Sequence, residues 1–469
     1  MRSLVAIPLL FVLLRGSAAC KAPVIGPAVD VWVTTSDQAK RLQQEAALRF
    51  EEGRGDAAVI VAIDETKPYQ SMDGFGASLT ESSAALINGL SPSAQGALLD
   101  RLFSPTEGIG LSFLRQPMGA SDFALGNYSY DDTCCDVDDF SIAREQAHVI
   151  PVLRRIRAIN PDLLIMGSPW SPPGWMKTSG SMVRGRLREE HYGALAAYFV
   201  RWIQAYEGQG LPVYAVTPQN EPQYEPTGYP GMLMTAAEQA TFIRRDLGPA
   251  LRAAGLRTKI VAFDHNWDIA AYALTVLGDP EAKAFVAGTG FHCYGGSVAA
   301  QSAVHDAHPD RDIWHTECSD GTWIGGGSFG ALFDRDMRQL VIGAVRHWAK
   351  GVVKWNLALD RRNGPTNGGC TTCHGTITID PGSEAVTYNA EYYALGHASK
   401  FVRRGAVRVG SDSFAGGVET VAFRNPDGGK VLVTYNGGAS AAEIAVRWAG
   451  QSFAYTLPSR AAATFVWSQ

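Results

Sequence analysis

Charge is scarce in this chain. Asp, Glu, Lys and Arg make up 19% of its 469 residues, and 41 basic against 46 acidic side chains leave a formal net charge of -5. No Lys/Arg block occurs that could neutralise a run of phosphates and release their counterions, so no nucleic-acid partner is expected. Long apolar runs are equally scarce. The stretch from Leu4 to Leu14 would rise only about 16 Å as a helix, short of about 30 Å of bilayer hydrocarbon, and no later segment is apolar enough to span. Preceded by Met1-Arg2-Ser3 and followed by Gly16-Ser17-Ala18-Ala19, it reads as an export signal over residues 1–19. There is no internal repeat. Cysteines number seven, an odd count that leaves at least one unpaired. Cys20 stands where a bacterial lipoprotein carries its lipid, but Ser17 occupies the place such signals usually fill with Leu. The expectation is an exported protein, secreted or periplasmic, with lipid anchoring through Cys20 as the alternative.

What is present is apolar material for a large core: 46% hydrophobic residues, with 50 Gly and 24 Pro to supply many loops. Eleven Trp and 16 Tyr hint at a sugar-binding surface. Eight short β-rich runs recur: Met72 to Ser78, Leu111 to Gln116, Leu163 to Ser168, Val213 to Thr217, Lys259 to Phe263, Gly290 to Tyr294, Asp312 to Glu317 and Val352 to Leu357. Between them lie stretches with apolar residues at three- and four-residue spacing, such as Ser141 to Ile159, His191 to Tyr206, Ala236 to Ala254 and Asp334 to Lys350. The alternation predicts a (β/α)8 barrel over residues 71–400. From 401 to 469 the pattern changes to short alternating strands around the turn Asn425-Pro426-Asp427-Gly428-Gly429, which predicts an antiparallel β-sandwich. Within residues 20–70, Val29 to Thr34 is strand-like and is expected to join those strands. The fold class is therefore α/β, a TIM barrel with an accessory β-sandwich formed from the N- and C-terminal segments.

In such a barrel the active site lies at the C-terminal ends of the strands, so the polar residues that close apolar runs are the ones to inspect. Glu221, in Asn220-Glu221-Pro222, closes the fourth run, and Glu317 closes the seventh. On those strands the two face each other across the mouth. Facing carboxylates are what glycoside hydrolysis requires: one protonates the departing oxygen, the other attacks the anomeric carbon or activates water. At about 5 to 5.5 Å the second acts as nucleophile and configuration is retained; at about 6.5 to 9.5 Å water fits between and it is inverted. Cys370-Thr371-Thr372-Cys373-His374 matches the letters of a c-type haem attachment, but its flanks read as a turn between strands, which favours a loop-closing disulfide. Cys134-Cys135 lies in an acidic turn that reads as a solvated loop. His305, His308, His315 and Glu317 fit no compact metal spacing, so neither metal nor cofactor is expected.

Four blocks, one of them holding the glutamates, occur between about residues 70 and 405. They are Asp73-Gly74-Phe75-Gly76-Ala77, the run Ser168-Pro169-Trp170-Ser171-Pro172-Pro173-Gly174-Trp175-Met176-Lys177, Asn220-Glu221-Pro222 with Glu317, and Trp355-Asn356-Leu357-Ala358-Leu359. Together they resemble glycoside hydrolase family 30, the glucosylceramidase family. The resemblance implies a retaining enzyme with Glu221 as acid/base and Glu317 as nucleophile. It further implies Asn220 as a donor to the sugar 2-hydroxyl, Arg115 beside the nucleophile, Asp122 on sugar hydroxyls, and His292 with Tyr294 as a His-x-Tyr pair whose tyrosine reaches the nucleophile. Trp170 and Trp355, at strand ends, would lie against the apolar face of a pyranose. Cys293 stands where relatives often have Trp, and strand alternation turns it into the barrel wall as a packing residue. Glu81 replaces an Asp common among relatives and is expected to be structural.

The expected activity is an exported retaining β-glycosidase acting on β-D-glucosides in the manner of glucosylceramidase, its partner a carbohydrate or glycolipid, with no obligate protein partner. An endo-acting β-1,6-glucanase, or a related β-1,6-galactanase or β-xylosidase, is the alternative, because the loop from Asp360 to Asp380 has no match in glucosylceramidase. From another class, a non-catalytic carbohydrate-binding protein would keep the fold, though the intact glutamate pair argues against it.

Overall fold

The computed structural model describes residues 26–53 and 55–468, together with Leu4. Apart from Leu4, the expected export signal and Cys20 lie outside the described residues. Eight parallel strands close a barrel in chain order: Gly74–Ser78, Phe113–Pro117, Leu164–Ser168, Val213–Val216, Lys259–Asn266, Val286–His292, Asp312–Glu317 and Ala349–Lys354. Each overlaps one of the eight runs read from the sequence, but the sixth and eighth strands begin three to four residues earlier than expected and end two to three residues sooner. Such strands are covered on both faces, which is why they read as continuous apolar runs rather than alternating ones. Inside, Phe113, Met166, Val261, Trp314 and Val353 form a cluster of their own, so the barrel is filled rather than hollow.

The outer helices bury one stripe each. Val149–Ile159 presents Val149, Val152, Leu153 and Ile156, and Tyr192–Gly208 presents Leu195, Phe199, Trp202 and Ile203, in each case at helical spacing. The helices expected over Ala236 to Ala254 and Asp334 to Lys350 are not regular throughout. Each contains a π-helical stretch, Ile243–Leu247 in one and Asp336–Ala344 in the other, which apolar spacing alone does not reveal.

The second domain draws on both ends of the chain. Ala28–Thr35 pairs antiparallel with Ala461–Trp467, from Asp30 against Val466 to Thr35 against Ala461. Alternation places Val29, Val31 and Val33 in the core, where the Phe50 ring lies 5.0 to 5.5 Å from those of Phe453, Trp467 and Trp448. A thirteen-residue strand, Val59–Ser71, joins the two halves of the sheet: it pairs parallel with Ala442–Trp448 near its start and antiparallel with Val407–Ser411 beyond. The last helix of the barrel region, Ala390–Ser399, docks on this domain through His397, whose ring nitrogens lie 2.9 Å from the hydroxyls of Thr34 and Thr464.

Candidate active site

Glu317 is the last residue of the seventh barrel strand. Glu221 is not at a strand end as expected: the fourth strand stops at Val216, and the chain continues along the end of the third, the N–H of Thr217 donating to the Gly167 carbonyl and that of Asn220 to the Pro169 carbonyl. Glu221 has a left-handed backbone (φ 45°), and its N–H donates to the carbonyl of Asp264 at 3.1 Å. The pair still meets. One carboxylate oxygen of each glutamate and a ring nitrogen of His292 all lie within 4.8 Å of one another.

Arg115, on the second strand, is completely buried. It donates to Glu317 Oε2 at 2.6 Å, Asn220 Oδ1 at 2.7 Å, Asp264 Oδ2 at 2.8 Å and Ser168 Oγ at 3.1 Å. Its bond to Asn220 Oδ1 leaves the amide nitrogen of that side chain facing away from the guanidinium, free to donate to a ligand. Asp264 is the second hub. It accepts from Arg115, Ser168, Thr217 and Thr316, and its Oδ1 lies 3.0 Å from His292 Nε2. Burial opposes its ionisation, but the guanidinium of Arg115 and the imidazole of His292 hold its carboxyl well below the usual carboxylate range.

Burial likewise opposes a charged His292, but Glu317, Asp264 and Glu221 around it raise its pKa to about 9. Its Nδ1 lies 3.2 Å from Glu221 Oε1. Burial would raise the Glu221 carboxyl as well; the hydrogen bond and charge of His292, aided by His265 and Arg115, lower it. In Glu317, burial and the neighbouring carboxylates push the pKa up, against His292 and Arg115. Glu317 accepts from both the Arg115 guanidinium and the Tyr294 hydroxyl, the latter at 2.9 Å, and an ionised carboxylate uses both donors. His292, charged and within hydrogen-bond reach of Glu221, stands ready to supply that carboxylate with a proton.

Asp122 is buried with Oδ1 unpartnered, and burial, then Glu317 and Glu221, push its carboxyl well up. A ligand hydroxyl would supply the missing partner. Trp170 and Trp355 stack on each other at 4.8 Å and 22°, with the Arg115 guanidinium 4.8 Å from Trp170. All nine residues singled out in the sequence thus belong to one constellation.

Seven of them line a cavity of about 230 Å³, with Arg115 and His292 behind the glutamates. Four larger hollows, of about 760, 410, 320 and 300 Å³, lie elsewhere among the described residues. In the 760 Å³ hollow the carboxylates of Asp334 and Glu419 are tied to Arg338, and none of the four holds Glu221 or Glu317.

Several participants were not anticipated: Asp264, Ser168, Thr217, His265, Tyr229, Ser319 and Trp323. Asp264 follows the fifth apolar run and satisfies the same criterion that found the glutamates. Cys293 is not merely a packing residue. It forms a disulfide with Cys318 (Cα–Cα 5.3 Å), tying the His292–Tyr294 segment to the residue after Glu317. Cys370 and Cys373 close their loop as expected, and Cys134 pairs with Cys135. The other histidines are dispersed: His305 stacks on Trp348 at 3.6 Å, His308 faces Lys283 at 3.2 Å, and His315 lies beside Cys293 and Cys318.

Paired carboxylates, one on a buried guanidinium and the other on a buried, charged imidazole, suit acid/base work. The family model described as glycosyl hydrolase family 30 TIM-barrel domain matches residues 72–402, and that for the family's beta sandwich domain matches 405–465. Endo-1,6-beta-D-glucanase neg1 of Aspergillus fumigatus is 34% identical over 441 residues, covering 87% of this chain and 87% of its own. Lysosomal acid glucosylceramidase of Mus musculus is 30% identical over 469 residues, covering 95% and 90%. Among solved structures, the endo-beta1,6-glucanase BT3312 superposes with a TM-score of 0.90 at 34% identity, over 95% of this chain and 100% of its own. With both domains matched in order and the glutamate pair at the barrel mouth, the chain belongs to glycosyl hydrolase family 30 and is a glycoside hydrolase.

Proposed function

We propose that the protein is a retaining β-glycosidase that cleaves β-1,6-glucan within the chain. The observation that carries the retaining mechanism is the short gap between the glutamates, with carboxylate oxygens within 4.8 Å of one another. Such a gap is nearer the about 5 to 5.5 Å of retaining enzymes than the about 6.5 to 9.5 Å of inverting ones. Glu317, held by Arg115 and Tyr294, attacks the anomeric carbon while Glu221 passes its proton to the departing oxygen. Glu221 then takes a proton from water as that water attacks the glycosyl-enzyme, and the product keeps the starting configuration. Asn220 donates to the 2-hydroxyl, Asp122 receives a second hydroxyl, and Trp170 and Trp355 wall the ring.

The substrate preference differs from the one first expected. Glucanases acting on β-1,6 bonds stand among the relatives at 34% identity in both sequence and structure, whereas the mouse glucosylceramidase stands at 30%. That ordering supports β-1,6-glucan over glucosylceramide. Three disulfides among the described residues further support work in an oxidising, extracytoplasmic compartment.

Hydrolysis of pustulan, an aryl β-glucoside and glucosylceramide, with proton NMR of the first-formed anomer, tests both parts. The expected result is short β-1,6 oligosaccharides from pustulan, appearing first as the β-anomer. An α-anomer overturns the retaining mechanism. A higher kcat/KM on glucosylceramide overturns the glucan assignment, and binding without turnover overturns both.

A further inference from the structure

The catalytic cavity has two unlike ends. Asp122, Asn220, Trp170 and Trp355 form a buried inner end that holds the sugar under attack. There, the loop after the eighth barrel strand folds over: the N–H of Asn367 donates to the carbonyl of Asp122 at 2.7 Å, and Gly368 (φ 76°) packs against Gly228 of the loop after the fourth strand. A Cβ on Gly368 would collide with the Gly228 carbonyl, so the roof closes only with glycine at that position. The outer end is open. There Trp323, 51% exposed, lines the cavity, while the Cys370–Cys373 disulfide packs inward against Trp170 and Trp355.

An exposed tryptophan on a wandering loop would carry little meaning, but Trp323 does not sit on one. Asp320–Gly321, just before it, pairs antiparallel with Cys373–His374, and the N–H of Thr322 donates to the Thr372 carbonyl at 3.2 Å. This ladder knits the loop after the seventh strand to the loop after the eighth. It is closed on one side by the disulfide and anchored below by Asp320, which is buried against Lys354 (2.8 Å) and Arg335. The benzo ring of the indole packs on Gly321, where any Cβ would collide with its Cζ3 and Cη2 atoms. Trp323 is thus seated on a rigid ladder, and it stays half exposed while lining the same cavity as Glu317 and Glu221.

We propose that Trp323 is the platform on which the first pyranose of the departing chain stacks. This rests on the glucanase reading for the identity of that pyranose. A β-1,6 linkage inserts an additional rotatable carbon–carbon bond between successive rings, so directional hydrogen bonds alone would fix the leaving sugar poorly. A flat aromatic face holds the C–H face of a pyranose through rotations in its plane, and a pre-ordered platform spends little affinity on its own immobilisation. The loop from Asp360 to Asp380 therefore acts on the leaving-group side by fixing the ladder that carries Trp323.

The test compares two substrates that share a glycone. Gentiotetraose places a sugar over Trp323, whereas the single-atom leaving group of β-D-glucosyl fluoride cannot reach it. In Trp323→Ala, the ratio of kcat/KM on gentiotetraose to that on the fluoride should fall about tenfold or more, and Trp323→Phe should restore it to within about threefold. An unchanged ratio, or a parallel fall on both substrates, overturns the proposal. If the unsubstituted enzyme leaves gentiotetraose and pustulan uncut, the glucan assignment fails and the stacked pyranose fails with it, a result distinct from cleavage with an unchanged ratio, which overturns the role of Trp323 alone.

Discussion

At the scale of residues, the site is an exchange of charge around two buried cations. Arg115 and His292 are shared among Asp264, Glu221 and Glu317, so each glutamate feels the protonation of groups on other strands. Replacing Glu317 by Gln removes the nucleophile and should abolish turnover. Replacing Glu221 by Ala should cost about 10²- to 10⁴-fold on natural glucan. The same variant should keep slow attack on aryl glucosides with good leaving groups and yield a β-glycosyl azide in azide; an α-azide contradicts double displacement. His292 makes a separate prediction. Its folded pKa, raised to about 9, lies above its unfolded value, so its contribution to stability is full below about pH 6.5 and is lost as pH rises through 9. Thermal midpoints between pH 7 and pH 10 should fall by the equivalent of up to about 3 kcal/mol, and less in His292→Gln; parallel profiles would contradict this. Most of this constellation was legible because each residue closes or follows an apolar run or stands in a family block. Asp264 follows the fifth run and was within reach of the same criterion, but where its side chain turns was not legible: Phe263 and Asp264 both have left-handed φ values (76° and 71°), and the pairing register shifts between Phe263 and His265. No regular alternation forecasts that irregularity.

At the scale of elements, what matters is how strand ends are tied to one another. The Cys293–Cys318 bond joins the sixth and seventh barrel strands just beyond His292 and Glu317, and Tyr294 follows it directly on one side. A 25-residue separation gives a crosslink worth about 3 kcal/mol by loop entropy. Cys293→Ser should lower the thermal midpoint accordingly. It should also reduce kcat more than it raises KM, because the Tyr294 hydroxyl loses its fixed distance to the nucleophile. A lower midpoint with unchanged kcat would reduce the bond to a support for the fold. The eight barrel strands were readable because burial on both faces writes them as apolar runs. Val59–Ser71 was missed because Asp64, Glu65, Lys67 and Pro68 interrupt its pattern, and what makes it a strand is two partners distant in sequence.

At the scale of the molecule, barrel and β-domain meet at a buried histidine. Burial alone pushes His397 down to about 3, so it is neutral between Thr34 and Thr464. A depressed base contributes stability that is full above about pH 6.5 and is lost as pH falls toward 3, here up to about 5 kcal/mol. Acid titration should therefore loosen the domain interface, and hydrogen exchange in Ala28–Thr35 and Ala461–Trp467 should rise by pH 4 before exchange in the barrel strands does. Uniform acceleration across both domains would contradict it. That the β-domain uses both chain ends could be read from the strand-like Val29 to Thr34, but its partner could not, since pairing at such range leaves no local mark. The pairing of Asp30 with Val466 also sets a clock. At about 5 to 20 residues per second, the first strand leaves the ribosome roughly 20 to 90 s before the last exists to receive it. Throughout that interval its row of valines has no sheet to enter, so the earliest part of the chain to be made is among the last to find its place, and whatever shields nascent chains from one another must shield this strand longest.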